Sequence, residues 1–402
     1  MNEWPTVALR HVARLEYGDA LPGDARVDGD VPVVGSGGTD STHNHANSGP
    51  GPAIVVGRKG SAGSVRWFDE PVHVIDTAYW VRTGSRIDSR FLYYVLSVQR
   101  WSETTQDVGV PGLSRDLAHA TKVPIPPLDE QRRIADFLDT ETTRLDSLLD
   151  ERARQTELLS ERRTAILVDV VGAAGHGPRR AAGLGWLPSV PEGWAIVELT
   201  LLAHLGSGHT PSRSKPEWWA DPTTPWITTG EVAQLRDDRL ETIIETREMI
   251  SELGLANSSA EVHPRGTVVL SRTASVGYSA VMGREMATSQ DFATWTCGPR
   301  LDPYYLLWTL RAMRPWLIGA RAMGSTHKTI YMPDIQSLRV PLPPIEEQRS
   351  IVASVRSALA RIDQIHDALA AQQSLLAERR QALITAAVTG RLDVATARGV
   401  TS

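Results

Sequence analysis

At 402 residues, 41% hydrophobic and 22% charged, the chain is long enough for two or three domains with cores of their own and has an ordinary globular composition. A single cysteine, Cys297, excludes a disulfide framework and any multi-cysteine zinc site, and with neither a basic-then-apolar leader nor a run of 18 apolar residues a cytoplasmic protein is expected. The net charge of −5 excludes a uniformly basic surface, so any face that meets phosphates must be local or supplied by a partner.

Residues 1–123 read as a first globule, with 12 Lys+Arg against 14 Asp+Glu. It opens on Trp4-Pro5-Thr6-Val7-Ala8-Leu9 and carries a small-residue turn at Gly35-Ser36-Gly37-Gly38-Thr39. Ile54-Val55-Val56-Gly57-Arg58 is a buried strand that delivers an arginine into a turn containing Gly63. Residues 124–173 then change character. Pro124-Ile125-Pro126-Pro127 bars helix upstream, and Asp129 and Glu130 suit the positive end of a helix dipole. A heptad seam follows through Ile134, Leu138, Leu145, Leu148, Gln155 and Leu159, long enough for a coiled coil, with Gly172 placed at the helix end. Residues 174–189, rich in Gly, Ala and Pro, read as a linker.

A second globule spans 190–340, with 14 Lys+Arg against 16 Asp+Glu in 186–340. Trp194-Ala195-Ile196-Val197-Glu198-Leu199 echoes the opening of the first, and Val268-Val269-Leu270-Ser271-Arg272 echoes its buried strand, with Gly277 matching Gly63. Its loops differ: where the first globule carries Gly35-Ser36-Gly37-Gly38-Thr39, the second carries Gly206-Ser207-Gly208-His209-Thr210-Pro211-Ser212-Arg213, with Gly208 at the place of Gly18. Residues 341–402 repeat the helix, from Pro341-Leu342-Pro343-Pro344 through a seam of Ile351, Val355, Ile362, Ile365, Gln372 and Leu376 to Gly390 and a tail.

Aligned as 124–173 against 341–390, the two helical segments share 19 identical positions of 50. Internal repeats mean repeated supersecondary units. The fold class expected is therefore α/β (α+β): two globules separated by two long antiparallel coiled-coil helices, in a pseudo-twofold repeat. Helices of about 40 residues are about 60 Å long. The antiparallel choice rests on their shared phase, length and polar interruptions (Gln155 with Gln372, Arg162 with Arg379). Parallel pairing would crowd both globules at one end.

These residues resemble the specificity (S) subunits of type I restriction–modification systems, the HsdS family, over essentially the full length. The most specific elements are the two Pro-x-Pro-Pro-hydrophobic-acid-Glu-Gln-Arg starts of the helices, each preceded by a globule that matches a target-recognition domain. Gly208-His209-Thr210-Pro211-Ser212, Pro225-Trp226-Ile227-Thr228-Thr229-Gly230 and Ser289-Gln290-Asp291-Phe292 look like a common recognition-domain pattern. The resemblance implies a non-catalytic reader of double-stranded DNA. Each recognition domain would read half of a bipartite site, and the helices would act as ruler and dock. Two methyltransferase (M) subunits would use S-adenosylmethionine to methylate adenine. Restriction (R) subunits would add translocation and cleavage, driven by ATP with Mg2+. This chain itself would bind no cofactor.

Fragments that mimic catalytic motifs do not hold together. Asp302-Pro303-Tyr304-Tyr305 departs from an adenine-methyltransferase motif at its second step and reads better as a helix start. Gly57-Arg58-Lys59-Gly60-Ser61-Ala62-Gly63-Ser64 has its lysine misplaced for a phosphate loop, and His43-Asn44-His45 lacks metal-site spacing. No catalytic or metal residue is assigned.

Base edges are read by Arg at guanine and by Asn or Gln at adenine, while Ser, Thr and amides hold phosphates. The candidate contacts are Ser36, Thr39, Asn44, Arg58, Lys59 and Ser61 in the first globule. In the second they are His209, Thr210, Ser212, Arg213, Arg272, Thr273, Ser275, His327 and Lys328. For Arg58 and Arg272, phosphate contact, bracing of the fold and base reading all stay open. Two other functions compete: a stand-alone DNA-binding regulator, disfavoured by the acidic balance, and a coiled-coil adaptor, which would leave divergent loops on similar frames unexplained.

Overall fold

Leu128–Val171 and Ile345–Val388 form two helices of 44 residues each in the computed structural model, which describes residues 4–101, 112–173, 177–324 and 328–394. The chain divides into two compact units, residues 1–154 with 370–402 and residues 155–369, so each unit holds part of both long helices.

In the first unit the strands are β1 (Thr6–Ala8), β2 (Ala13–Tyr17), β3 (Val31–Gly35), β4 (Gly38–His43), β5 (Ala53–Gly57), β6 (Val65–Phe68), β7 (His73–Val74) and β8 (Ala78–Thr83). Helices α1 (Ser89–Ser97) and α2 (Arg115–Ala120), strand β9 (Lys122–Pro124) and the long helix α3 (Leu128–Val171) follow. The sheets run β2-β8-β5-β6 and β4-β3-β7, and β1 pairs with β9 to close the globule just before α3.

The second unit opens with β10 (Arg179–Ala181), β11 (Ser189–Pro191), β12 (Ala195–Glu198), β13 (Ala203–Ser207), β14 (Thr224–Ile227), β15 (Thr242–Ile243) and β16 (Glu248–Ile250). After α4 (Glu252–Ala256) come β17 (Val268–Ser271), β18 (Ser279–Met282), β19 (Ala287–Thr288) and β20 (Phe292–Cys297). Helices α5 (Pro303–Trp316) and α6 (Met332–Gln336), strand β21 (Arg339–Leu342) and the long helix α7 (Ile345–Val388) complete it. Its sheets run β13-β20-β17-β18-β15 and β16-β14-β19, and β12 pairs with β21. Strand for strand, these sheets repeat the order of the first unit with one edge strand, β15, added; the β10–β11 hairpin is extra to the second unit. The small sheets match in sense too: β3–β7 and β14–β19 are parallel, β3–β4 and β14–β16 antiparallel.

The glutamine of the repeated motif has a structural task. Gln131 is buried; its Oε1 accepts from the Asp88 amide (2.7 Å) and its Nε2 donates to the carbonyls of Pro126 (2.8 Å) and Arg86 (3.2 Å). Gln348 repeats this with the Asp302 amide (2.8 Å) and the carbonyls of Pro343 and Arg300 (both 2.9 Å). Asp88 and Asp302 in turn cap α1 and α5, accepting from Phe91 N and from Tyr304 N and Tyr305 N. One side chain thus ties a long helix to the helix of its globule in each unit.

The long helices run antiparallel. In the first unit Arg380 pairs with Asp146 (2.7 Å), and Ile134, Phe137 and Leu138 share a core with Ile384, Ala387 and Val388. In the second unit Arg163 pairs with Asp363, and Leu167 and Val171 share a core with Ile351, Val355, Leu359 and Ile362. Asp146 aligns with Asp363 in the repeat, and Arg163 with Arg380. Each pair is therefore the other with its roles exchanged, the mark of an isologous contact.

Three expectations change. Ile134, Leu138, Leu145, Ile351, Val355 and Ile362 are buried, but Leu148 and Ile365 stand 39% and 50% exposed. Beyond Leu145 the inward stripe passes through Leu149, Leu159 and Arg163, and in α7 through Leu359, Leu369, Gln373, Leu376 and Arg380, while Gln372 faces solvent and Gln155 is half-buried. A strict 3.5-residue repeat drifts by about 20° per heptad against an α-helix, which moves the stripe by one residue. The helix-terminal residue in the left-handed region is Ala173 (φ 47°), aligned with Gly390 (φ 74°), not Gly172. Gly172 serves close packing: a Cβ there would lie 2.7 Å from Leu187 Cδ1. Lastly, the described part of 174–189 is no loose linker. β10 pairs with β11, and Trp186 and Leu187 enter the core of the second unit.

Candidate nucleic-acid interface

The turn after the buried central strand is the same device in both units. In the first, Gly57 N donates to Ser64 O and Gly63 N to Gly57 O; in the second, Ser271 N donates to Tyr278 O and Gly277 N to Ser271 O, all at 2.8 Å. The third residue of each turn is left-handed, Gly60 (φ 72°) and Ala274 (φ 60°). A later segment of chain clamps each arginine's carbonyl: Leu113 N donates to Arg58 O and Ile330 N to Arg272 O, both 2.8 Å.

In the first unit Thr77 gathers the predicted loops. Its carbonyl accepts from the amides of Arg58 (2.9 Å) and Lys59 (3.1 Å), and its Oγ1 accepts from Ser36 N (3.2 Å). Arg66, which sequence reasoning missed, staples the two turns by donating to the carbonyls of Ser36 (2.8 Å) and Gly37 (3.1 Å). Ser36 is buried, whereas Thr39, Lys59 and Ser61 are exposed; Thr39 follows the Ser36 turn, and Lys59 and Ser61 lie on the turn that these bonds join to it. Asn44 is exposed beyond the opposite end of β4, about 17 Å away at 3.3 Å per residue, and does not join them.

Arg58 donates to Asp76 O (2.9 Å) and lies over the Tyr17 ring, 4.9 Å from its centroid. Arg115 lies over the same ring at 4.7 Å. With Lys59, Tyr79 and residues 112–117 they line a cavity of about 390 Å3. Burial and the neighbouring Tyr17 push the Tyr79 hydroxyl up to about 12, so it stays protonated and donates to Leu113 O (3.0 Å). A second cavity, of about 480 Å3, shares Arg115 and is lined by Arg10, His11, Arg14, Glu16 and His119. Burial and then Arg115 lower the His119 pKa; its Nε2 accepts from Leu15 N (3.0 Å) as a neutral ring. No local motif announces this basic cleft, because Arg14 and Arg115 meet only through the fold.

In the second unit the segment 288–291 does the gathering. His209 N donates to Thr288 O (3.0 Å), Arg272 N to Asp291 O (2.8 Å), and Thr210 Oγ1 to Gln290 Oε1 (2.6 Å). The last bond orients the exposed Gln290 amide, a residue type that reads adenine. Ala274 N donates to Lys328 O (2.9 Å) and Thr273 bridges Thr329, so Thr273, Ser275 and Lys328 join the same cluster. The enclosed Nε of Arg272 has no hydrogen-bond partner. Arg213 is held by Glu248 and by Trp219, whose ring centroid is 3.9 Å away, and Ser212 bonds Ser214 (2.8 Å). His327 lies outside the described residues.

The sequence matches the model of the type I restriction modification DNA specificity domain twice, over residues 1–155 and 191–372. The chain belongs to that family. It is similar to the EcoBI specificity subunit of Escherichia coli, 23% identical over 355 residues, covering 83% of this chain and 74% of that one. It is similar also to the MjaIX specificity subunit of Methanocaldococcus jannaschii, 26% identical over 166 residues, 40% of this chain and 37% of that one. The fold matches a chain solved in work on complex assembly and conformational transition of the type I R-M system. That match has a TM-score of 0.72 at 19% identity and covers 98% and 99% of the two chains. Among the described residues, no helix is long and apolar enough to cross a membrane.

Proposed function

We propose that this specificity subunit reads a bipartite duplex target, one half with residues 1–123 and the other with 190–340, and carries no catalytic site of its own. The observation that supports this reading most is the shared sheet order of the two units around loops that differ. Equal frames present Arg58, Lys59 and Ser61 in one and His209, Thr210, Arg272, Thr273, Ser275 and Lys328 in the other. A scaffold would have no use for that divergence.

The helices 124–173 and 341–388 would hold two methyltransferase subunits. Leu158 and Leu375 occupy equivalent repeat positions and stand 62% and 64% exposed. The register set by Arg380 and Asp146 puts Leu375 within one turn of exposed Leu148 in the first unit. That set by Arg163 and Asp363 puts Leu158 within one turn of Ile365 in the second. Two equivalent apolar patches suit two copies of one partner. S-adenosylmethionine would belong to those subunits, and ATP and Mg2+ to restriction subunits, in the cytoplasm where the DNA is.

Light scattering of the chain mixed with its methyltransferase subunit tests the dock. The expected mass is that of one chain with two partners. Leu375→Glu should remove one partner, and Leu158→Glu with Leu375→Glu should remove both. Retention of two partners by the double variant would contradict the proposed surface.

A further inference from the structure

The basic cleft at Tyr17 is more than the reading of half a target requires. Arg58, Lys59 and Arg115 line one cavity, and Arg10, Arg14 and again Arg115 line its neighbour. The acids in these walls are Glu16, whose carboxylate is engaged by Arg82 (2.6 Å), and Asp116. Arg58 and Arg115 repel each other, yet both are held over one ring that is itself 46% exposed. Arg58 is anchored to a carbonyl, while the enclosed Nε of Arg115 has no hydrogen-bond partner. An anion in the cleft would relieve that repulsion.

The framework does not need these residues. With Trp4 set against Trp194 and Gly18 against Gly208, the second unit has Thr200, Leu201, His204 and Ser207 where the first has Arg10, His11, Arg14 and Tyr17. The same strands form without the charge. A base stacked on Tyr17 would compete with two guanidiniums already over the ring, which favours phosphate over base.

We propose that the first unit carries a sequence-independent clamp for the DNA sugar-phosphate backbone, formed by Arg10, Arg14, Arg58, Lys59 and Arg115 around Tyr17, of which the second unit keeps only Arg272 at the place of Arg58. This rests on the DNA-reading function proposed above and adds an asymmetry to it. Most of the salt-dependent grip falls on the first half of the target.

The test uses the full chain assembled with its methyltransferase subunits, binding a duplex with the methylated motif and a scrambled duplex at several salt concentrations. Arg14→Gln with Arg115→Gln should weaken both duplexes alike and make the log–log salt slope shallower by about 2, about 1 per cation. Arg115→Lys, which keeps a point charge, should retain the slope, and the methylated motif should not change. An unchanged slope would overturn the clamp and leave the DNA-reading function standing. A change confined to one half-site would overturn it as well, making the cleft a base reader. A wild-type complex that binds neither duplex would overturn both.

Discussion

Each buried glutamine of the repeated Pro-x-Pro-Pro segments closes three hydrogen bonds to backbone groups, two of them in its globule and one in its own Pro-rich segment. Leucine in its place would leave one amide and two carbonyls unanswered, at roughly 1–3 kcal/mol for each group that stays dry. Gln348→Leu should therefore cost about 3 kcal/mol in urea unfolding, and a loss under about 1 kcal/mol would show that water replaces the clamp. A second residue-scale effect concerns pH. Burial lowers the pKa of His263, and burial followed by Arg115 lowers that of His119. A histidine depressed in the fold takes up its proton more readily when unfolded. Its stabilisation is thus complete above the ordinary value of 6.5 and is lost as pH falls from there toward the folded value. The melting temperature should drop between pH 7 and pH 5.5, and His263→Gln should shrink that drop. Equal slopes for variant and wild type would exclude His263 as a cause.

At the scale of elements, the helices and their antiparallel sense were legible because the repeat preserved them. Asp146 with Asp363 and Arg163 with Arg380 are identities of the repeat, and they are the charges that meet across each helix pair. The seam was legible to Leu145 and Ile362 and again at Leu159 and Leu376, but not at Leu148, Ile365 or Gln372, since a fixed heptad does not follow an untwisted helix. The hairpin of β10 and β11 was hidden by its Gly, Ala and Pro content, although Trp186 and Leu187 fill the core. The ruler role that the family resemblance implies is tested at this scale. Four residues added to both helices, near Thr156 and Gln373, lengthen each by about 6 Å and about one turn. The spacer of the recognised DNA should grow by about one to two base pairs at 3.4 Å per pair, with both half-sites unchanged. Methylome sequencing checks this, and an altered half-site with the old spacer would sink the ruler.

At the scale of the whole molecule, duplication joins the sequence to the architecture. Trp4 with Trp194, Gly63 with Gly277 and Arg58 with Arg272 were visible as echoes, and sheet order, turn bonding and clamped carbonyls repeat around them. The candidate interface was less legible. Residue type points to the loops, but which loops meet depends on Thr77 in one unit and on 288–291 in the other, neither of which lies in the loops it joins. Arg10, Arg14 and Arg115 escaped for the same reason. The measurement that tests the account most directly is a genome-wide map of methylated adenine, made with this chain and its methyltransferase and repeated with residues 190–340 exchanged for a relative's. The account predicts one split motif, of which the exchange alters one half and leaves the other intact. A single undivided motif, or an exchange that alters both halves, would contradict it.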